Sequence, residues 1–280
     1  MQIVAKIEDV KKAIAIAETK DKTIGFVPTM GYLHEGHMSL IKAAREAADF
    51  VVVSIFVNPI QFAPNEDLAV YPRDFERDCR LIEAEGGDLV FHPEPSEMYP
   101  ADFVTQVKVD RLGEHLCGQS RPHHFAGVTT VVNKLFNLVR PQFAFFGEKD
   151  AQQLYIVRQM VKDLCLPVTV VGCPIVREED GLAKSSRNVY LSAKERAEAV
   201  VLRQSLLVAK KEIDAGERDA KKIMDAMRAM VEKTSGRVDY IEVVSLPVME
   251  PVAQIAGENL IAMAVRFGQT RLIDNIMIKV

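Results

Sequence analysis

The 280-residue chain is short of several things, and each shortage removes a class of protein. Four cysteines, Cys79, Cys117, Cys165 and Cys173, form no Cys-x-x-Cys pair and have no neighbouring histidine set. A thiolate metal cage and a disulfide scaffold are therefore unsupported, and reduced structural thiols are expected. No apolar run approaches membrane-spanning length, and the N-terminal stretch has no apolar h-region, so neither a membrane span nor a signal peptide is expected. The expected compartment is the cytoplasm. Lys and Arg total 35 against 39 Asp and Glu, net −4, without the basic excess that nucleic-acid binding needs. Small acidic ligands must then be held by local cations. There is no Gly-x-Gly-x-x-Gly fingerprint, which leaves a dinucleotide site unsupported, and no internal repeat or low-complexity segment. Against these absences stand 48% hydrophobic and 26% charged residues in a length sufficient for two globular domains.

The most informative stretch that is present runs from Gly25 through Pro28, Met30, Gly31, Tyr32 and Leu33 to His34-Glu35-Gly36-His37. A short apolar strand enters a turn of Pro, Gly and small residues, which delivers two histidines to the start of a helix continuing through Ser39 to Ala48. Strand, small-residue turn and helix N-terminus together make an anion site, because unpaired backbone N–H groups and the helix dipole face the bound group. Imidazoles at i and i+3 share one face of the first turn. The arrangement suits a nucleoside triphosphate attacked at its α-phosphate. A zinc reading needs histidines four apart with Glu after the first. Glu35 follows His34, but His37 comes one residue too early.

A second cluster lies far downstream in Lys184-Ser185-Ser186-Arg187, which sets two hydroxyls between two cations. Arg187 offers a bidentate fork for phosphate oxygens and Lys184 a point charge. By itself such a run reads as a solvated polar loop; paired with the histidine segment it reads as a phosphate grip.

Between these motifs, strand and helix patterns alternate. Phe50 to Val57 is a continuous β-branched run typical of a buried parallel strand. Tyr71 to Glu85 is amphipathic and stops at Gly86-Gly87. Asp88 to His92 reads as a strand, Gly127 to Val139 as a helix, Phe143 to Phe146 as a strand, Ala151 to Asp163 as a helix and Val168 to Val171 as a strand. The pattern predicts an α/β, Rossmann-like doubly wound parallel sheet, with ligands at the carboxyl ends of strands. Beyond it, Ser192 to Ala215 and Ala220 to Thr234 read as helices, and Val238 to Ser245, Asn259 to Val265 and Arg271 to Ile278 as strands. These predict a second, smaller α+β C-terminal domain. The expected division is 1–178 and 179–280, with the second domain closing over the active site.

Several blocks together resemble the pantothenate synthetase (pantoate–β-alanine ligase) family of the cytidylyltransferase-like nucleotidyltransferase superfamily. They are the His-x-Gly-His element, Phe56 to Phe62, Tyr71-Pro-Arg-Asp, His124-Phe-Ala-Gly-Val, Phe146 to Leu154, Ser185-Ser-Arg-Asn, and Ala264 to Asn275. The resemblance implies a two-step ligase. Pantoate attacks the α-phosphorus of ATP to give pantoyl adenylate and pyrophosphate, and β-alanine then takes the acyl group, releasing AMP.

By match to the family, Met30 to His37 wrap the nucleotide, and His34 and His37 contact ATP, with His37 the better donor of a hydrogen bond or proton. In Gly147-Glu148-Lys149-Asp150, Lys149 holds phosphate and Asp150 the ribose or adenine edge. Ser185, Ser186 and Arg187 grip the phosphates leaving as pyrophosphate, and the Val176 backbone meets adenine. Gln61 and Gln153 read pantoate, with Asn58 beside them. Magnesium is expected with the triphosphate, Asp78 being a candidate ligand. The resemblance also implies a homodimer and no nucleic-acid or membrane partner. Without it, Asn58 and Gln61 read as loop caps after a strand, and Lys149-Asp150 as a helix start. Two positions depart from the family pattern: Lys184 stands where Met is commoner, and His123 where Gly is. A nucleotidylyltransferase with phosphopantetheine or nicotinamide mononucleotide as acceptor would share the histidine motif, but not Gln61, Gln153 and the second domain. A non-catalytic ATP sensor would be expected to have lost His37 or Lys149.

Overall fold

The β-branched run after residue 50 becomes the strand Phe50–Ile55, every residue of it buried except the first. Its neighbours complete a parallel sheet, as uninterrupted apolar strands require when both faces are covered. The computed structural model describes residues 1–64 and 66–280. In chain order its first elements are β1 (Gln2–Val4), α1 (Ile7–Glu18), β2 (Ile24–Thr29), α2 (Glu35–Ala47), β3 (Phe50–Ile55), α3 (Phe75–Ala84) and β4 (Leu89–Phe91). There follow the single turns α4 (Pro95–Met98) and α5 (Cys117–Ser120), then α6 (His124–Val139), β5 (Phe143–Gly147), α7 (Ala151–Asp163) and β6 (Thr169–Cys173). The C-terminal elements are α8 (Ala193–Glu198), α9 (Val201–Asp214), α10 (Ala220–Val231), β7 (Arg237–Ser245), β8 (Glu258–Phe267) and β9 (Thr270–Lys279).

Two compact units result. One comprises Met1–Val109, His123–Glu148 and Ile156–Pro174; the other comprises Asp110–Pro122, Lys149–Tyr155 and Ile175–Val280.

In the first unit, six strands among the described residues run in the order β1-β4-β3-β2-β5-β6, all pairings parallel. The chain moves outward from β2 through β3 and β4, then returns to the opposite side of β2 with β5. The strand order therefore reverses between β2 and β5, the position at which doubly wound sheets bind ligands beyond their carboxyl ends. Val27, Val51, Val53 and Val90 from the sheet bury against Leu40, Ile41 and Ala44 of α2 and Ile82 of α3.

In the second unit, β7, β8 and β9 form an antiparallel sheet. Its inward residues, Ile241, Val243, Ile261, Met263 and Val265, cluster with Leu202, Leu206 and Ile213 of α9 and Ile223 and Met227 of α10.

The sequence pattern missed β1 and α1. Gln2–Val4 is too short to show a period, yet it pairs with β4 at the sheet edge. The expected helix from Ser192 to Ala215 is two helices. Ser192 and Glu195 close a capping box that starts the first, and Ala199 and Val200 keep right-handed helical backbone angles between the two. The break is thus a slackened turn rather than a loop.

Candidate active site

The segment after β2 is held by the first helical turns around it. Gly31 and Tyr32 adopt consecutive left-handed conformations, with φ of +82° and +51°. The glycine accepts this without strain; the tyrosine does not, and needs compensation. Asp78, on α3, supplies it. Its two carboxylate oxygens accept the N–H groups of Tyr32 and Leu33, each at 2.7 Å. One residue earlier, Arg77 donates to the Leu33 carbonyl at 2.8 Å, with its guanidinium over the Tyr32 ring. Asp78 is 1% exposed, and burial raises its carboxyl above the ordinary range, offset in part by the two N–H donors. Both oxygens of the candidate magnesium ligand are thus engaged in fixing the loop.

The loop delivers His34 as the N-cap of α2. Gly36 N–H donates to His34 Nδ1 at 3.1 Å, and His34 N–H donates to His37 Nδ1 at 3.2 Å, a reciprocal capping box built from two imidazoles. The rings lie 4.2 Å apart between centroids. Because each Nδ1 accepts a backbone N–H, each neutral ring carries its proton on Nε2. Glycine is needed at position 36, where a Cβ would sit 2.9 Å from the His34 ring.

Beyond β3, the turn Pro59–Gln61 brings Gln61 to the same segment, its Nε2 3.1 Å from Met30 Sδ. Gln61 from the expected pantoate set and Met30 from the expected nucleotide set are thus neighbours. Asn58 is 1% exposed, and its amide is engaged inside the fold. Its Oδ1 accepts the Tyr99 hydroxyl at 2.7 Å, and its Nδ2 donates to Gln61 Oε1 at 3.0 Å and Gly127 O at 3.1 Å. The expected direct contact of Asn58 with pantoate therefore meets a side chain whose two N–H groups and oxygen already have partners. Gly147 and Glu148 stand at the carboxyl end of β5, beside the strand-order reversal.

The remaining expected residues belong to the second unit. Lys149 and Asp150 complete a short helical turn leading into α7; Lys149 is half-buried and Asp150 exposed. Gln153 is half-buried on α7. Its neighbour Gln152 is structural, accepting Cys117 N–H and donating to the Leu112 and His115 carbonyls. Val176 and Lys184 are joined, since Lys184 N–H donates to the Val176 carbonyl at 3.0 Å. Ser185 caps the turn Ser186–Tyr190, accepting Arg187 N–H at 3.3 Å, and Ser186 is buried. The Lys184 ammonium lies 3.1 Å from Glu178, so the extra cation at this position comes with a carboxylate beside it.

Sequence reasoning missed the groups that support these loops. Arg177 donates to both oxygens of Asp274, and Asn275 donates to the Lys149 carbonyl at 2.9 Å. Asp274 and Asn275 lie within a motif block of the resemblance, but a pairing 97 residues apart leaves no local spacing to read. Tyr99 gives no signal beyond being a tyrosine before proline.

A doubly wound sheet with a histidine-capped helix at its strand-order reversal defines an α/β protein of the class that binds ligands beyond the carboxyl ends of its strands. The family model described as pantoate-beta-alanine ligase matches residues 2–277. A pantothenate synthetase of Caldicellulosiruptor saccharolyticus is 55% identical over the full length of both chains, and one of Thermotoga petrophila is 55% identical over 98% of this chain and 99% of its own. Among solved structures, pantothenate synthetase from Thermus thermophilus superposes with a TM-score of 0.94 at 46% identity, covering 99% of each chain. Pantoate-beta-alanine ligase from Francisella tularensis, complexed with beta-gamma ATP and beta-alanine, gives 0.80 at 32% identity, covering 99% of this chain and 97% of its own. The chain belongs to the pantoate-beta-alanine ligase family.

Proposed function

We propose that this enzyme condenses pantoate with β-alanine at the expense of ATP, through a pantoyl-adenylate intermediate, releasing pyrophosphate and then AMP. The observation that carries the reading is the imidazole pair, its tautomers fixed by backbone N–H groups, at the head of α2 in a chain of this family. The Francisella relative, solved with beta-gamma ATP and beta-alanine, supports ATP and β-alanine as substrates here.

In the first step a pantoate carboxylate oxygen attacks the α-phosphorus, and the bond from that phosphorus to the bridging oxygen of pyrophosphate breaks. Anion approaches anion, so donors must stand where charge builds up. His34 and His37 offer Nε2–H groups to phosphate oxygens, and His37 is the residue assigned to donate as pyrophosphate departs. Lys149, Arg187, Ser185 and Ser186 hold the phosphates, Lys184 stands beside them, Asp150 takes the ribose or adenine edge and Val176 the adenine. Gln61 and Gln153 read pantoate. In the second step the β-alanine amine attacks the acyl carbon, the acyl–oxygen bond to AMP breaks, and the amine proton is lost. Closure of residues 179–280 over the adenylate is proposed to exclude water from that mixed anhydride.

Among the described residues no group of three or more His, Cys, Asp or Glu side chains could hold a metal ion, and Asp78 serves the loop. The residues present do not fit a protein-held magnesium, and Mg2+ is assigned to the triphosphate as part of the substrate. A homodimer in the cytoplasm is the proposed working state, to be checked by sedimentation and fractionation. No helix among the described residues is long and apolar enough to cross a membrane.

The test of the activity is exchange of labelled pyrophosphate into ATP. Exchange that depends on pantoate, followed by AMP release on adding β-alanine, is the expected result. Exchange with phosphopantetheine or nicotinamide mononucleotide, and none with pantoate, would replace this reading by the adenylyltransferase one.

A further inference from the structure

Three side chains of the first unit form a hydrogen-bonded series whose polarity can be read from one end to the other. It begins at a backbone carbonyl, Gly127 O, which can only accept. The group 3.1 Å from it on Asn58 must therefore be the amide nitrogen. That orientation turns Asn58 Oδ1 toward Tyr99, so the tyrosine hydroxyl donates, at 2.7 Å. The second hydrogen on Asn58 Nδ2 is directed at Gln61, 3.0 Å away, and requires an acceptor there. Gln61 must present Oε1 to Asn58 and carry its NH2 on the opposite side. The far side agrees, because Gln61 Nε2 lies 3.1 Å from Met30 Sδ, a sulfur that accepts and cannot donate.

Each member is held in place. Asn58 is 1% and Gln61 9% exposed. The Gln61 backbone carbonyl receives His124 Nδ1 at 3.0 Å. The Tyr99 ring packs between Phe56 and Phe103, at centroid distances of 6.1 and 5.0 Å, with the Lys134 ammonium over both the Tyr99 and Phe103 rings. Burial raises the Tyr99 phenol above its ordinary range, so it stays a donor at any working pH.

We propose that Tyr99 is a positioning residue for the pantoate step. By donating to Asn58 Oδ1 it holds Asn58 in the orientation that Gly127 O selects, and through Asn58 it steadies the Gln61 amide with its NH2 end offered to the substrate. The pantoate group read at Gln61 is then a hydrogen-bond acceptor, a carboxylate or hydroxyl oxygen. This rests on the assignment of Gln61 to pantoate made above. Without the tyrosine hydroxyl, Asn58 Oδ1 is left buried without a donor, and the loosened Asn58 no longer holds the Gln61 amide in the geometry that meets the substrate.

The experiment is pantoate-dependent pyrophosphate exchange by the full-length enzyme and Tyr99→Phe, a change that keeps the ring and removes one hydroxyl. Pantoate KM is expected to rise about five- to tenfold, the effect of losing one neutral hydrogen bond (about 1–1.4 kcal/mol). ATP KM should stay near wild type, and the thermal midpoint should fall by only a few degrees, the cost of one buried acceptor left without its donor. In a Gln61→Ala background the Tyr99→Phe change should have no further effect on pantoate KM, since the relay ends at Gln61. A pantoate KM within twofold of wild type overturns the proposal. So does a parallel rise in both KM values with a fallen midpoint, or an undiminished effect in the Gln61→Ala background. Absence of pantoate-dependent exchange in the wild type would overturn the functional reading itself, and the relay with it.

Discussion

Arg177 grips Asp274 through both carboxylate oxygens, at 2.7 and 2.9 Å, and the same guanidinium reaches the Gly181 carbonyl at 3.0 Å. The carboxylate is 1% exposed and the guanidinium side chain 17%. One planar group thus ties β9 to the turn that precedes Lys184-Ser185-Ser186-Arg187, whose Gly181 needs a φ of +92°. An ammonium has the charge but not the fork. Arg177→Lys is expected to lower unfolding free energy by about 1.5–3 kcal/mol, the value of a charge-assisted hydrogen bond. Arg177→Met, which leaves Asp274 buried without its partner, should cost about 3–5 kcal/mol. Urea denaturation measures both, and a lysine variant as stable as wild type would show that the fork does not hold the turn.

The two imidazoles cap the helix through Nδ1, and the proposed function assigns their chemistry to Nε2. Asparagine can replace an N-cap acceptor but offers no Nε2–H in the same place. His34→Asn is therefore expected to keep the thermal midpoint within a few degrees while weakening ATP binding. His37→Ala loses both duties, and adenylate formation should fall by at least about tenfold, the low side of typical acid–base contributions. Single-turnover formation of pantoyl adenylate is the measurement. An unchanged rate in His37→Ala removes that residue from the chemistry.

Asp78 sets up a pH dependence whose sign can be stated. Its folded-state carboxyl is raised by burial, so between the ordinary value near 4 and the raised value the folded protein holds a proton that the unfolded chain has lost. Stability contributed by this group accordingly falls as pH rises through that window. Asp78→Asn removes the titration, and it also deprives Tyr32 or Leu33 of an acceptor for its N–H. The variant should be less stable than wild type at about pH 3.5, with the gap narrowing as pH rises past the raised value. Denaturation of both proteins across about pH 3.5 to 7 reads it out; a gap constant with pH would show that Asp78 does not titrate as its burial implies.

How much of this was legible beforehand depended on the range of the signal. The strand Phe50–Ile55 and the helix Ala151–Asp163 follow from local apolar period, and their bounds match the pattern to within a residue or two. Gln2–Val4 escaped because three residues carry no period, and its pairing with β4 lies far along the chain. The strand, turn and helix start of the histidine segment were legible, since they are contiguous. What could not be read was the use of long-range polar groups. Asp78, expected as a metal ligand, instead satisfies two N–H groups of a left-handed turn 45 residues away. Asn58, expected at the substrate, hydrogen-bonds to Gln61, Gly127 and Tyr99. In each case the residue type signalled a polar role, and only three-dimensional proximity decided toward what.

Gly127 tests whether that support of Gln61 is mechanical. It lies on α6, where a Cβ would come within 2.6 Å of Gln61 Cα and Ile60 O and 2.8 Å of Gln61 N. All three are backbone atoms, so no side-chain rotamer can relieve the clash, and either α6 or the Pro59–Gln61 turn must move. The same residue's carbonyl receives Asn58 Nδ2, and that movement would lengthen the bond from which the orientation of the series follows. Gly127→Ala should therefore act twice. Overpacking of this kind costs about 1–3 kcal/mol of stability, outweighing any helix-propensity gain of about 1 kcal/mol from alanine. Pantoate KM should rise in step with the displacement of Gln61, while the distance between the His34 and His37 rings, set on a different element, stays as it is. A crystal structure of the variant with the Asn58–Gly127 contact intact, together with an unaltered pantoate KM, would show that the turn yields without disturbing the amide.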